Sequence, residues 1–156
     1  MTKRLEDLAA ERWEKDGLEF FLYEHHSHWC GYVRFPKRPL IERGYHGIAA
    51  YVPVHGGLTF AQAENGAMTY GFDCNHLDDE RRPELRDRAW LRAECERMGR
   101  AISVAANFEP QYLLAATDEQ KAAVLDGYHG ALEAEGILFN LRNNFGAMIR
   151  VMFGNL

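Results

Sequence analysis

The sequence predicts an α+β fold, an antiparallel sheet with an Asn-Gly hairpin and helices packed on one face. Three observations predict it. Asn65-Gly66 separates two strand-like segments, LTFAQAE and AMTYGFD, and a two-residue turn with positive φ at both positions is what that dipeptide supplies. In WCGYVRF, Trp29, Gly31, Val33 and Phe35 alternate with Cys30, Tyr32 and Arg34, the period of a sheet with two different faces. Thr117 followed by Gln120 forms a capping box that opens a long helix.

The chain has 156 residues and a net charge of −5, from 18 Lys plus Arg against 23 Asp plus Glu. Apolar residues make up 47% and charged residues 26%, values of an ordinary globular domain and not of a disordered tail. One domain over 1–156 is expected, strand-rich over 18–76, mainly helical over 84–136, and closed by a segment over 137–156. No apolar run is long enough to span a bilayer and the N-terminus is too charged for a signal peptide. The sequence therefore implies a soluble, cytoplasmic protein. Its acidic balance disfavours a nucleic-acid polymer as partner. The three cysteines, Cys30, Cys74 and Cys95, are too few for a disulfide framework and show no CxxC spacing.

Taken in order, residues 2–16 read as an amphipathic helix with Thr2 as N-cap, Leu5, Leu8, Ala9 and Trp13 on one side, and Gly17 as its stop. LEFFLYE, WCGYVRF and IAAYVPV read as strands, and PKRPLIERGYHG, with two prolines and two glycines, as an exposed loop. The hairpin register pairs Ala63 with Met68, Ala61 with Tyr70 and Thr59 with Phe72. Extended, it sets Gly57 opposite Cys74 and His55 opposite His76, with Asp73 on the other face unless Gly56-Gly57 forms a bulge. A helix from Glu84 to about Asn107 carries Leu91, Cys95, Met98, Ile102 and Ala105 along one stripe. The helix opened by Thr117 buries Val124, Leu125, Tyr128 and Leu132 and ends at Gly136. FGAMIRVMFG is a last strand or buried segment.

Chemistry concentrates at VHGGLTF and YGFDCNHLDD. Glycines after His55 permit close backbone approach, and Asp73, Cys74, His76, Asp78 and Asp79 fall within seven residues. In one reading His55, Asp73 and His76 form a catalytic or ligand site at the hairpin's open end, with a divalent metal as candidate cofactor. In the other, Asp73 caps a turn, His55 is a satisfied buried histidine and the aspartates are a solvated loop. The tract from Glu24 to Cys30 offers His26 and His28 as metal ligands, or is a plain solvent-facing loop. Trp29 and Tyr32 suit stacking on a planar ligand, or core packing. Arg34, Lys37, Arg38 and Arg43 make one basic stretch, a clamp for phosphate or carboxylate or a solvated loop. Cys74 beside His76 gives weak support for a thiol nucleophile. No GxSxG, P-loop, GxGxxG or HExxH is present.

Val54 to Ala61, then Gly71, Phe72, Asp73, Cys74 and His76, then Ala93-Glu94-Cys95, resemble an uncharacterised family of small bacteriophage and prophage proteins with the pattern VHGGLT…GFDCxH. Trp29 to Val33 and the Pro39 to Tyr45 loop are similar to that family's flanking segments. At Leu77-Asp78 the chain departs from a small residue followed by Gly, which leaves Asp79 without a family role. The resemblance implies a phage accessory protein, acting in the cytoplasm of an infected or lysogenic bacterial host, that counters host defence by binding a small polar ligand such as a cyclic nucleotide signal. His55, Gly56, Gly57 and Asp73 would form the ligand floor, Trp29 or Tyr32 would stack, Arg34 or Arg43 would hold phosphate, and the protein would be a homo-oligomer. The alternatives are a metal-dependent hydrolase of a nucleotide-type substrate using His55, Asp73, His76 and Asp79, and a protein-binding inhibitor of a host factor.

Overall fold

A computed structural model describes residues 4–76 and 79–137. Five strands form one antiparallel sheet: β1 (Glu11–Lys15), β2 (Leu18–His25), β3 (His28–Phe35), β4 (Phe60–Glu64) and β5 (Ala67–Asp73), in the order β1-β2-β3-β5-β4. A single helical turn, α1 (Leu5–Leu8), precedes them, and two long helices, α2 (Arg88–Leu114) and α3 (Asp118–Ala134), follow. The α+β architecture is the one the sequence predicts.

Two expected elements differ. The helix over 2–16 is reduced to α1, and its second half is β1. The reason is Asp16-Gly17: both have positive φ, 53° and 79°, so they form a two-residue hairpin turn that closes the Lys15↔Leu18 pair. Trp13, expected on a helical stripe, instead lies opposite Phe20 with stacked rings 5.4 Å apart. Thr2, its expected N-cap, lies outside the described residues. IAAYVPV is likewise no strand. Gly47–Tyr51 is a 3-10 helix, followed by an irregular stretch in which Val52 and Val54 are fully buried. Pro53 withholds the donor that a central strand would need, and Ile48, Ala49, Val52 and Val54 are buried without alternation.

The Asn65-Gly66 hairpin forms in the expected register, with Ala63↔Met68 and Ala61↔Tyr70. The ladder ends at Phe60↔Gly71, and Thr59 N–H still donates to Gly71 O at 3.0 Å. The helix expected over 84–107 is displaced toward the C-terminus: 83–86 is 3-10, and α2 starts where the Asp87 side chain accepts from Ala89 N–H. Its stripe of Leu91, Cys95, Met98, Ile102 and Ala105 is wholly buried against one sheet face, which contributes Phe20, Leu22, Val33, Met68, Tyr70 and Phe72. In α3 the Thr117–Gln120 capping box is complete. Gly136, at φ 73°, ends the helix with Gly136 N–H donating to Glu133 O and Ile137 N–H to Leu132 O, the double bond of a Schellman motif. FGAMIRVMFG lies outside the described residues.

The opposite sheet face is covered locally by α1. Glu6 pairs with Arg34, whose guanidinium lies 4.9 Å from the centre of the Phe21 ring, and Phe21 is fully buried there. The Arg34 bond holds the Glu6 carboxyl below its usual range.

Candidate functional site: a His-His-Asp cluster below the hairpin

VHGG is a tight turn, not a bulged strand end. Gly57 N–H donates to Val54 O at 2.8 Å, with Gly56 at φ 70° in the third position, where such a turn needs positive φ. A second constraint also requires glycine here. A Cβ on Gly56 would lie 2.1 Å from His76 Nε2, so the His76 ring occupies the space a side chain would take. His55 and His76 thereby meet with ring centres 5.5 Å apart, the neighbourhood the register anticipated, reached through a turn.

Asp79 completes the cluster. Its Oδ2 accepts from His55 Nε2 at 2.9 Å and from His76 backbone N–H at 2.8 Å. His55 is 3% exposed and Asp79 6%. Hydrogen bonds to a buried carboxylate are the strong kind, so the segment after β5 is held against the VHGG turn. The ligating atoms of His55, His76 and Asp79 all lie within 4.8 Å of one another, a possible metal-binding triad. Tetrahedral coordination at ~2.0–2.1 Å places donors about 3.3 Å apart, within reach by side-chain rotation. His76 Nε2 is buried and has no hydrogen-bond partner. Its nearest carboxylate oxygen is Asp73 Oδ1 at 3.4 Å.

Asp73 touches the cluster only at its edge, through His76 Nε2. It stands on the sheet face opposite α2, paired with Cys30, and accepts from Asn75 N–H at 3.1 Å, the turn-capping role. The carboxylate that joins both histidines is Asp79, not Asp73. Trp29 and Tyr32 alternate to opposite faces of the sheet. Trp29 is 8% exposed, with Arg88 5.2 Å from its ring centre; Tyr32 stands half-buried with Arg34 on the other face. Arg34 is committed to Glu6, Phe21 and Thr69, which removes it as a phosphate clamp. Arg43 is exposed in the loop after β3 and is absent from the walls of the cavities around His76. His25, His26 and His28 crowd one another at the β2–β3 turn, yet among the described residues only His55, His76 and Asp79 form a metal-capable group.

Three cavities meet at His76. One of about 540 Å³ runs along Trp29, His28, Cys74, Asp79 and Arg86. A second, of about 380 Å³, runs along Cys30, Tyr32, Phe60 and Asp73. A third, of about 410 Å³, is bounded by Tyr45, Gly56 and Gly57. Cys74 is no nucleophile: burial, reinforced by the nearby Asp79 charge, pushes its thiol well up, and the thiolate is the reactive form.

Two further buried acids hold backbone in place, and the first of them positions His55. Glu94 of α2 is 6% exposed, accepts from His55 backbone N–H at 2.8 Å and is gripped by Arg97 through bonds of 2.7 and 3.1 Å. Glu109, 2% exposed, accepts from the backbone N–H groups of Ile41 and Glu42, tethering the loop expected to be exposed. Their signal was in the sequence: both carboxylates fall on the apolar side of α2, a place acids occupy only with partners.

Comparison with protein-family models, curated proteins and solved structures finds no match. No helix among the described residues is long and apolar enough to cross a membrane.

Proposed function

We propose that the protein binds a divalent transition-metal ion through His55, His76 and Asp79 and uses it to hydrolyse a small phosphate ester. The single observation that carries this reading is His76 Nε2, buried and without a hydrogen bond, beside two other donors within 4.8 Å. A metal would give that nitrogen a stronger partner than its long Asp73 contact. Two imidazoles and one carboxylate suit zinc or manganese, and a three-ligand set leaves coordination open for water or substrate. A metal there would lower the pKa of bound water and polarise a phosphoryl oxygen. Glu94 fixes His55 through its backbone N–H, Gly56 makes room for His76, and the cavity of about 540 Å³ along Asp79 admits substrate.

The test is metal retention and turnover together. Protein stripped with EDTA and dialysed against Zn²⁺ or Mn²⁺ should retain about one ion per chain and cleave bis(p-nitrophenyl) phosphate. His55→Ala and His76→Ala should do neither. A wild-type protein that retains no ion overturns the proposal.

A second reading, a phage accessory protein that sequesters a small polar ligand such as a nucleotide signal, is favoured by the convergence of three cavities on one histidine. Incubation with a cyclic-nucleotide panel followed by heat release separates the two. Intact nucleotide recovered from metal-loaded protein supports sequestration, and altered nucleotide supports hydrolysis.

A further inference from the structure

His76 of the metal-capable triad lies at one end of a longer groove. The cavity along Asp73 and His76 shares Tyr32 and Phe60 with a fourth cavity, of about 480 Å³, on the sheet face opposite α2. That outer cavity is walled by Tyr23, Arg34, Gln62 and Thr69. Tyr32 and Phe60 meet edge to face, with ring centres 5.3 Å apart and planes at 88°, so they form a corner. The residue paired with each of them across the sheet is Gly71. A Cβ there would lie 2.6 Å from the Tyr32 ring, so the ring leans over bare backbone where a side chain would stand.

We propose that this groove receives a nucleoside phosphate, its flat base in the Tyr32–Phe60 corner and its phosphate at His55, His76 and Asp79. The proposal rests on the metal-dependent reading for its phosphate end and on the aromatic corner for its base end. Aromatic side chains hold bases by stacking whatever the sequence. Gln62 and Thr69 offer donors and acceptors for a base edge, which a plain hydrocarbon ring would leave unpaired. The spacing also fits. Gly71 and Asp73 are two residues apart on β5, about 7 Å at the usual strand rise, and Asp73 Oδ1 lies 3.4 Å from His76 Nε2. That is the scale of a ribose between a base and its 5′-phosphate. With Arg34 engaged by Glu6, the aromatic end suits a neutral base, and the anionic group belongs at the metal end.

Equilibrium dialysis of the full chain tests this, with adenosine 5′-monophosphate and ribose 5-phosphate as probes, in Mn²⁺ and in EDTA, and Mn²⁺ retention measured in parallel. In Mn²⁺, the adenine nucleotide should bind at least about ten-fold more tightly than ribose 5-phosphate. Phe60→Ala should remove about ten-fold of that preference while Mn²⁺ retention stays unchanged. Tyr32→Leu serves as the second variant if Phe60→Ala unfolds. Equal affinity for the two probes, or a preference untouched by both variants, overturns the inference even where Mn²⁺ binds. Failure to retain Mn²⁺, with a Phe60-sensitive adenine preference persisting in EDTA, removes the metal-dependent reading and keeps the base site.

Discussion

Replacing His76 by alanine tests metal binding apart from folding, because the ring contributes little to the metal-free protein. Its side chain is 32% exposed and 3.4 Å from Asp73, and its Nε2 has no hydrogen bond. Loss of a half-exposed ion pair and one ring contact should change metal-free stability by under about 1 kcal/mol. With metal the two proteins should diverge. At a free ion concentration a hundred-fold above its Kd, binding stabilises the native state by about 2.7 kcal/mol. At ~2–4 °C per kcal/mol for a domain of this size, that is a rise in Tm of about 5–11 °C. A variant with a hundred-fold weaker site keeps only about 0.4 kcal/mol, or about 1–2 °C. Thermal unfolding followed by circular dichroism, in EDTA and in Zn²⁺ or Mn²⁺, provides both numbers. Equal metal-induced shifts in wild type and variant, zero included, would refute the reasoning.

Asp79→Asn should be unstable even without metal, by about 2–4 kcal/mol in urea unfolding, because Oδ2 takes two hydrogen bonds in a buried setting; a loss under 1 kcal/mol would contradict that role. Glu94→Ala strands the His55 N–H and the Arg97 guanidinium and should cost about 3–5 kcal/mol, with Glu94→Gln intermediate in the same assay. Gly56→Ala combines a left-handed φ of 70° with a clash against His76, so it should lose about 1–3 kcal/mol together with the metal-induced shift. Burial pushes the Cys30 thiol up from 9.0 to about 11 and Cys74 and Cys95 up further. Ellman's reagent at pH 8 should therefore find no reactive thiol in folded protein and three after denaturation. Since the folded thiols hold protons that the unfolded chain has released, stability should decline as pH rises from about 9 through 11; a flat profile would contradict it.

What was legible in the sequence depended on whether the deciding interaction was local. The Asn65-Gly66 turn, the Thr117 capping box and the Gly136 stop each act within a few residues, and all three form as expected. Asp16-Gly17 carries the same kind of signal, yet the apolar spacing of Leu5, Leu8, Ala9 and Trp13 fits a helix that would end at Gly17. Cross-strand pairing of Trp13 with Phe20, a tertiary gain, decides between them. IAAYVPV has strand composition without alternation, and its burial beneath α2 is again not local. The site divides the same way. Register arithmetic placed His55 near His76, although the ladder ends at Phe60↔Gly71 and the VHGG turn makes the contact. It could not choose between the two candidate acids, Asp73 and Asp79, since Asp79 reaches the histidines through a 3-10 turn after the strand has ended, where no ladder applies. Glu94 was visible only as an acid on an apolar stripe, a position that demands a partner without naming it. That partner is the backbone N–H of His55, so α2 sets the height of the VHGG turn over β5. The helix is thus part of the site's geometry, and a metal held by His55 and His76 would couple the helix layer to the sheet through two residues.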